Sequence, residues 1–208
     1  MLDILIKEKS YSDKKILKNI QLTFTKVGLY GFVGKNGAGK TTFFKCISGL
    51  TSFEGIISFE NKILTPREVS FLPTEPYLYD HLTVGEFYTF YSLLLGVKFK
   101  NDLPFEVDKS LLIRELSTGM RKKVYFNAVL QKSYKVYIFD EPFNGLDITS
   151  VYRVKKLLQE LSKQHIVFIS SHILETLEEC EQLFLLQEGD VLCFASSALN
   201  EVETALKD

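Results

Sequence analysis

The chain has 208 residues, 46% of them hydrophobic, and its formal net charge at pH 7 is −1. This length suits one domain, or one domain with a small subdomain, and it provides enough apolar residues for a substantial core. The near-neutral charge does not point to nucleic acid as a partner, and the apolar content argues against intrinsic disorder.

Features that report on cellular location are sparse. Cys46, Cys180 and Cys193 are scattered and odd in number, without the spacing of a metal site, so we expect reduced thiols in an intracellular protein. The first residues form a strand pattern and lack the parts of a secretion signal. The apolar runs at 28–34 and 87–95 are far shorter than the roughly 20 residues needed to span a bilayer.

Strand-like and helical patterns alternate along the chain, which predicts an α/β fold with a mixed, mainly parallel core sheet. In chain order, the predicted strands are residues 2–8, 21–24, 29–33, 55–59, 136–139, 165–170, 183–187 and 191–195. The runs 136–139 and 165–170 are continuously apolar, as is typical of strands buried on both faces. Glu60-Asn61 and Gly189-Asp190 are predicted hairpin turns.

Three helices are predicted. The first covers residues 40–48 and ends at Gly49. The second begins at a capping box formed by Thr83 and Glu86 and ends at Gly96. The third begins at Ser117, a favourable N-cap, and runs to about residue 131.

Residues 34–41 read Gly-Lys-Asn-Gly-Ala-Gly-Lys-Thr, between a predicted strand and a predicted helix. Glycines let successive backbone amides point inward, and the positive end of the following helix favours an anion there. Lys40 would reach the β- and γ-phosphates of a nucleotide, and the Thr41 hydroxyl would bind Mg²⁺. The alternative is a glycine-rich turn without a ligand. We predict a nucleotide phosphate site at Gly34, Lys35, Asn36, Gly37, Ala38, Gly39, Lys40, Thr41 and Thr42.

Asp140 and Glu141 follow the apolar strand at 136–139. Ligands of open α/β sheets bind beyond the carboxyl ends of the parallel strands. Asp140 would hold Mg²⁺, directly or through water, and Glu141 would polarise the attacking water as general base. The alternative is a strand that ends in two solvated acids.

Together with residues 34–41, two further runs resemble the ATP-binding-cassette (ABC) ATPases: Leu-Ser-Thr-Gly-Met-Arg from Leu116, and Val-Tyr-Ile-Phe-Asp-Glu-Pro-Phe-Asn-Gly-Leu-Asp from Val136. The resemblance covers residues 2–195. It implies a P-loop NTPase core with an N-terminal antiparallel β-subdomain. A single domain at 1–208 would also carry a helical subdomain at about 76–132, shorter than usual by about one helix.

The resemblance also implies roles for single residues. Ser117 and Gly119 would contact the γ-phosphate of ATP held by the opposite subunit, and residues 144–147 would cross the dimer interface. His172 would hydrogen-bond the γ-phosphate and sense its loss as part of the catalytic site. Tyr11 would stack on adenine.

One motif departs from the family pattern. The family usually has Gln after the strand at 71–73, near the metal, where this chain has Thr74-Glu75. We expect the Thr74 hydroxyl to bind the metal or its water, with Glu75 as the alternative. The adjacent run 76–79 is apolar for a loop, and we expect it to receive the membrane partner. The alternative is that this run folds back onto its own subdomain.

The implied function is an ATP-hydrolysing, exporter-like subunit that powers export through a separate integral-membrane subunit, using ATP and Mg²⁺. It would act as a homodimer or heterodimer, without nucleic acid, on the cytoplasmic face of the cell membrane. A soluble ABC ATPase of DNA repair or translation would use the same site, but such proteins carry long insertions or a second cassette. A small-molecule P-loop kinase would explain residues 34–41 but not Ser117 to Arg121 or His172.

Overall fold

The computed structural model describes residues 1–207. The chain forms two compact units, one of Met1–Phe71, Tyr134–Glu141 and the residues from Leu158 onward, the other of Leu72–Ser133 and Pro142–Leu157. In chain order the strands and helices are β1 Leu2–Tyr11, β2 Lys14–Phe24, β3 Gly28–Val33, α1 Lys40–Ile47, β4 Glu54–Phe59, β5 Lys62–Ile63, β6 Val69–Leu72, α2 Val84–Leu95, α3 Thr118–Val129, β7 Val136–Asp140, α4 Ile148–Ser162, β8 Ile166–Ser170, β9 Gln182–Gln187, β10 Asp190–Ala195 and α5 Leu199–Lys207.

Two sheets build the first unit. A four-stranded sheet has the order β2-β1-β4-β5, and its ladders are antiparallel. A six-stranded sheet has the order β10-β9-β3-β8-β7-β6, in which β3 pairs in parallel with β8 and β9, and β7 pairs in parallel with β8. The predicted mixed, mainly parallel sheet and N-terminal antiparallel sheet are therefore confirmed.

The core of the first unit is aromatic. Phe32 of β3 stacks on Phe184 of β9, with ring centroids 4.9 Å apart, and meets Phe168 of β8 edge-on at 5.2 Å. Phe43 and Phe44 of α1 pack on the same ring at 5.2 and 5.3 Å. Strands β3, β7 and β8 are buried at every residue, so their continuous apolar runs reflect cover on both faces. This packing places the start of α1 at the carboxyl end of β3.

The second unit contains α2 and α3. The predicted capping box at the start of α2 is confirmed, since Glu86 accepts from the Thr83 backbone N–H at 2.7 Å while the Thr83 hydroxyl accepts from the Glu86 N–H at 3.2 Å. Gly96 ends α2 with φ 66°, and Ser117 caps α3. The buried Asn127 amide donates to Tyr88 Oη at 2.7 Å, which ties α3 to α2.

Three strand predictions need correction, the first being the strand expected at 71–73, which is β6 at Val69–Leu72. Strands β1 and β2 pair from Leu2–Phe24 to Tyr11–Lys14, so both extend beyond the predicted segments at 2–8 and 21–24. The C-terminal hairpin turns at Glu188-Gly189, with φ of 52° and 86°, and Asp190 already pairs with Gln187. The predicted turn at Gly189-Asp190 is therefore wrong by one residue, because such a two-residue turn needs positive φ at both positions.

The other predicted turn, Glu60-Asn61, is confirmed by φ values of 51° and 62° between the antiparallel strands β4 and β5.

The residues of the apolar loop at 76–79 differ in burial. Leu78 is 2% exposed and packs in the core of the second unit, whereas Tyr77 is 77% exposed. Leu78 therefore folds back onto its own unit, as the alternative interpretation expects, and docking of a membrane partner at this loop stays a prediction. In the span from residue 1 to residue 207, no helix is both long and apolar enough to cross a membrane.

Candidate functional site

The glycine loop at 34–39 joins β3 to α1. Gly34 and Gly39 have φ of 151° and 107°. A Cβ atom at Gly34 would lie 2.5 Å from the Leu186 carbonyl oxygen, and one at Gly39 would lie 2.9 Å from the Leu17 side chain. Only glycine fits these two positions, so the close packing of the loop backbone explains part of the motif.

Lys40 is buried at the start of α1, and its Nζ donates to the Gly34 carbonyl at 2.7 Å. Burial lowers the pKa of this ammonium, and the nearby charges of Glu141 and Asp140 oppose that shift. The Lys40 side chain thus reaches back across the glycine loop to its first residue, Gly34. An ammonium in that position can exchange a carbonyl oxygen for a phosphate oxygen.

Asp140 ends β7 and is held by two hydroxyl groups. Thr41 Oγ1 donates to Asp140 Oδ2 at 2.6 Å, and Ser170 Oγ donates to Asp140 Oδ1 at 2.6 Å. Asp140 and Ser170 are register partners in the parallel ladder, so the sheet itself sets their approach. The pair Thr41 and Asp140 offers two hard oxygen donors close together, a donor set that suits Mg²⁺.

Within residues 1–207, no group of three or more His, Cys, Asp or Glu side chains is placed to hold a metal ion. Mg²⁺ in nucleotide sites takes one or two protein ligands and completes its shell with water and phosphate oxygens. The two oxygens of Thr41 and Asp140 therefore fit this ion.

Glu141 has an unusual backbone and two contacts from one segment. Its φ is 51°, a conformation that costs a non-glycine residue of order 1–3 kcal/mol. Oε2 accepts from the His172 backbone N–H at 3.2 Å, and Oε1 lies 3.0 Å from His172 Nε2. Burial raises the pKa of the Glu141 carboxyl, and the neighbouring His172 opposes that rise. A held carboxylate of raised pKa is suited to accept a proton from water.

These contacts bring five of the predicted site residues together: Lys40, Thr41, Asp140, Glu141 and His172. Tyr11 ends β1, and the Lys9 ammonium lies 4.3 Å from the centre of its ring.

Three other predicted site residues, Thr74, Ser117 and Gly119, belong to the second unit. Thr74 is half-buried in the loop after β6. Ser117 Oγ accepts from the Met120 N–H at 3.3 Å, as an N-cap does. Gly119 lies so close to the 145 backbone that an added Cβ would be 2.5 Å from the Gly145 oxygen.

Ser170 belongs to the site although the sequence marks it only as the end of a strand. Its hydroxyl donates to Asp140 and accepts from the Glu141 backbone N–H at 2.9 Å. The sequence does contain a signal for this role. One continuously apolar strand, 136–139, is followed by two acids, and the other such strand ends in the hydroxyl of Ser170.

Comparison with known proteins gives a consistent result. The family described as ABC transporter matches residues 17–144. The chain is similar to the lantibiotic transport ATP-binding protein of Streptococcus pyogenes, with 30% identity over 92% of this chain and 89% of that protein. It is also similar to the bacitracin transport ATP-binding protein of Bacillus licheniformis, with 30% identity over 88% of this chain and 66% of that protein. A solved ATP-binding subunit of an ABC transporter superposes with a TM-score of 0.89 and 25% identity, over 100% of this chain and 99% of that one.

Proposed function

Since this chain belongs to the ABC transporter family and is an ATP-binding subunit with ATPase activity, we propose that Asp140 and Glu141 form the catalytic pair of its ATP site. The observation that carries this proposal is the set of hydrogen bonds at the end of β7. Asp140 is held by Thr41 and Ser170, and Glu141 contacts His172 through both carboxylate oxygens.

The glycine loop would bind the phosphates of ATP. Its backbone amides and the start of α1 favour an anion, and Lys40 would leave the Gly34 carbonyl to contact the β- and γ-phosphates. Because the Lys40 ammonium is partly desolvated, its bond to a phosphate oxygen is stronger than it would be in water. Tyr11 would stack on the adenine ring, a role that the exposure of its side chain permits.

Thr41 and Asp140 would hold Mg²⁺, and a part for Thr74 stays a prediction from the sequence. When bound, this ion neutralises charge that develops on the phosphate oxygens. Glu141 would accept a proton from water while the water oxygen forms a bond to the γ-phosphorus and the bond to the bridging β-phosphate oxygen breaks. His172 would keep the Glu141 carboxylate in place and donate a hydrogen bond to the γ-phosphate.

We further propose that hydrolysis takes place in a head-to-tail dimer, either a homodimer or a heterodimer. Ser117 and Gly119 would contact the ATP held by the opposite subunit. In support, Ser117 lies at an exposed helix N-terminus and Gly119 carries no side chain, and both features suit contact with an anion.

The subunit would act on the cytoplasmic face of a membrane, where it would drive a separate membrane subunit, in our proposal an exporter. The exposed Tyr77 and Tyr79 would form the docking surface. The two relatives named for lantibiotic and bacitracin transport support this role over DNA repair or translation.

The decisive experiment is Glu141→Gln, which removes the base and retains the shape of the side chain. We expect ATP binding to persist, turnover to fall by roughly 10²- to 10⁴-fold, and the variant to accumulate as an ATP-bound dimer in gel filtration. The matched control is Glu60→Gln, an exposed glutamate with the same φ of 51° in a hairpin turn.

The pH profile of the wild type supplies a second readout. Because burial raises the pKa of Glu141, the base becomes protonated, and turnover falls, at a higher pH than an ordinary glutamate would allow. Normal turnover by Glu141→Gln would remove this residue from the base role.

A further inference from the structure

Lys122 lies in the second turn of α3 and is 1% exposed, although it carries an ammonium group. Burying a charge costs several kcal/mol unless it is paired or hydrogen-bonded, whereas an apolar side chain of similar length would fill the same space without that cost. Lys122 Nζ donates to the carbonyl oxygen of Asn144 at 2.9 Å. The buried ammonium therefore ties α3 to the short segment between β7 and α4.

We call residues 143–147 of that segment the 143–147 loop. Two further contacts join this loop to the start of α3. Lys123 Nζ lies 2.8 Å from Asp147 Oδ2, and the Gly119 backbone packs directly on the Gly145 carbonyl.

The C-terminal end of the 143–147 loop, at Asp147, is also held by hydrogen bonds. Asp147 Oδ1 accepts from the Ser150 backbone N–H at 2.8 Å in the first turn of α4, and contacts with Lys123 and then Ser150 lower the pKa of the Asp147 carboxyl. Within the loop, Gly145 adopts φ 76°, and the Leu146 N–H donates to the Phe143 carbonyl at 3.2 Å. Lys122 thus adds a buried hydrogen bond to a loop whose ion pair, between Lys123 and Asp147, is partly exposed.

We propose that Lys122 is a positioning residue that holds the 143–147 loop and the turn at Ser117–Gly119 as one body. The inference rests on the proposed function, in which Ser117 and Gly119 contact the ATP of the opposite subunit. Lys122 lies five positions after Ser117, about 7.5 Å along the helix axis, so a rigid element joins the ammonium to the turn at Ser117–Gly119. A loop that drifts by about 1 Å can cost on the order of 100-fold in rate.

The test is Lys122→Met, which keeps the length of the side chain and removes the donor. We expect kcat to fall at least tenfold, while KM and the affinity of the monomer for a fluorescent ATP analogue stay within twofold. Lys122→Arg should restore most of the rate, because a guanidinium can donate to the same carbonyl. Lys156→Met serves as the control, since Lys156 is an exposed lysine of α4 in the same unit.

A second variant approaches the contact from the loop. Gly145→Ala places a side chain at φ 76°, which strains the turn, while the methyl group itself would lie at an ordinary contact distance of 3.6 Å from the Thr118 side chain. It should show the same fall in kcat at unchanged ATP affinity, and it decides the question if Lys122→Met does not fold.

The proposal is overturned if either folded variant keeps kcat within twofold of the wild type, or if ATP affinity falls as much as kcat. Failure of the proposed function is distinguishable from both results. It would appear as a loss of ATP affinity in the Ser117→Arg monomer, or as full turnover by Glu141→Gln, whatever the behaviour of Lys122→Met.

Discussion

Ser170→Ala is expected to be the most damaging removal of a single hydroxyl group near Asp140 and Glu141. The Ser170 side chain is fully buried, donates to the Asp140 carboxylate at 2.6 Å and accepts from the Glu141 N–H at 2.9 Å. Alanine removes both bonds, and no solvent reaches the site to replace them.

The magnitude follows from these two bonds. A hydrogen bond to a charged group contributes about 1.5–3 kcal/mol, and a buried N–H left without a partner costs about 1–3 kcal/mol. Ser170→Ala should therefore lower the free energy of unfolding by about 3–5 kcal/mol. For a chain of this size, that loss shifts Tm by roughly 10 °C. Turnover should fall as well, because the Ser170 hydroxyl holds the backbone of Glu141 in its strained conformation.

The assay is thermal unfolding followed by circular dichroism, together with steady-state ATP hydrolysis. Ser48→Ala is the matched control: Ser48 is 4% exposed, and its hydroxyl donates to the Phe44 carbonyl, which already accepts from the Ser48 N–H. This control should cost at most about 1 kcal/mol. Equal losses of stability in the two variants would refute the reasoning.

Two further predictions concern the partners. Ser117→Arg should abolish hydrolysis while the monomer still binds ATP, because in our proposal the serine contacts the nucleotide of the opposite subunit. Binding measured by fluorescence tests this, and a loss of affinity as severe as that of Lys40→Ala would contradict it. Tyr77→Asp with Tyr79→Asp should weaken co-purification with membranes but spare ATP binding, since both side chains are exposed. Full membrane recruitment of that folded double variant would remove the loop from docking.

Local features of the fold could be predicted well from the sequence. The capping box at Thr83 and Glu86, the end of α2 at Gly96 and the turn at Glu60-Asn61 each depend on residues within a few positions of one another. The strand ends were less accurate, because pairing between β1 and β2 continues past the apolar pattern to Tyr11 and Lys14. Backbone hydrogen bonds between the two strands decided how far β1 and β2 extend. Such bonds involve every residue type, so they produce no periodic pattern of apolar residues in the sequence of either strand.

The sequence by itself determined the glycine loop at 34–39, the acids at the end of β7 and the cap at Ser117, because each is a short run whose chemistry depends on its own neighbours. Only the tertiary structure decided that Ser170, 30 residues from Asp140, holds that carboxylate, and that Lys122 meets the Asn144 carbonyl 22 residues away. The same holds for Leu78, which is buried beside an exposed Tyr77. Such contacts depend on which elements pack together, and burial then turns an ordinary hydroxyl or ammonium into a group that must find a partner.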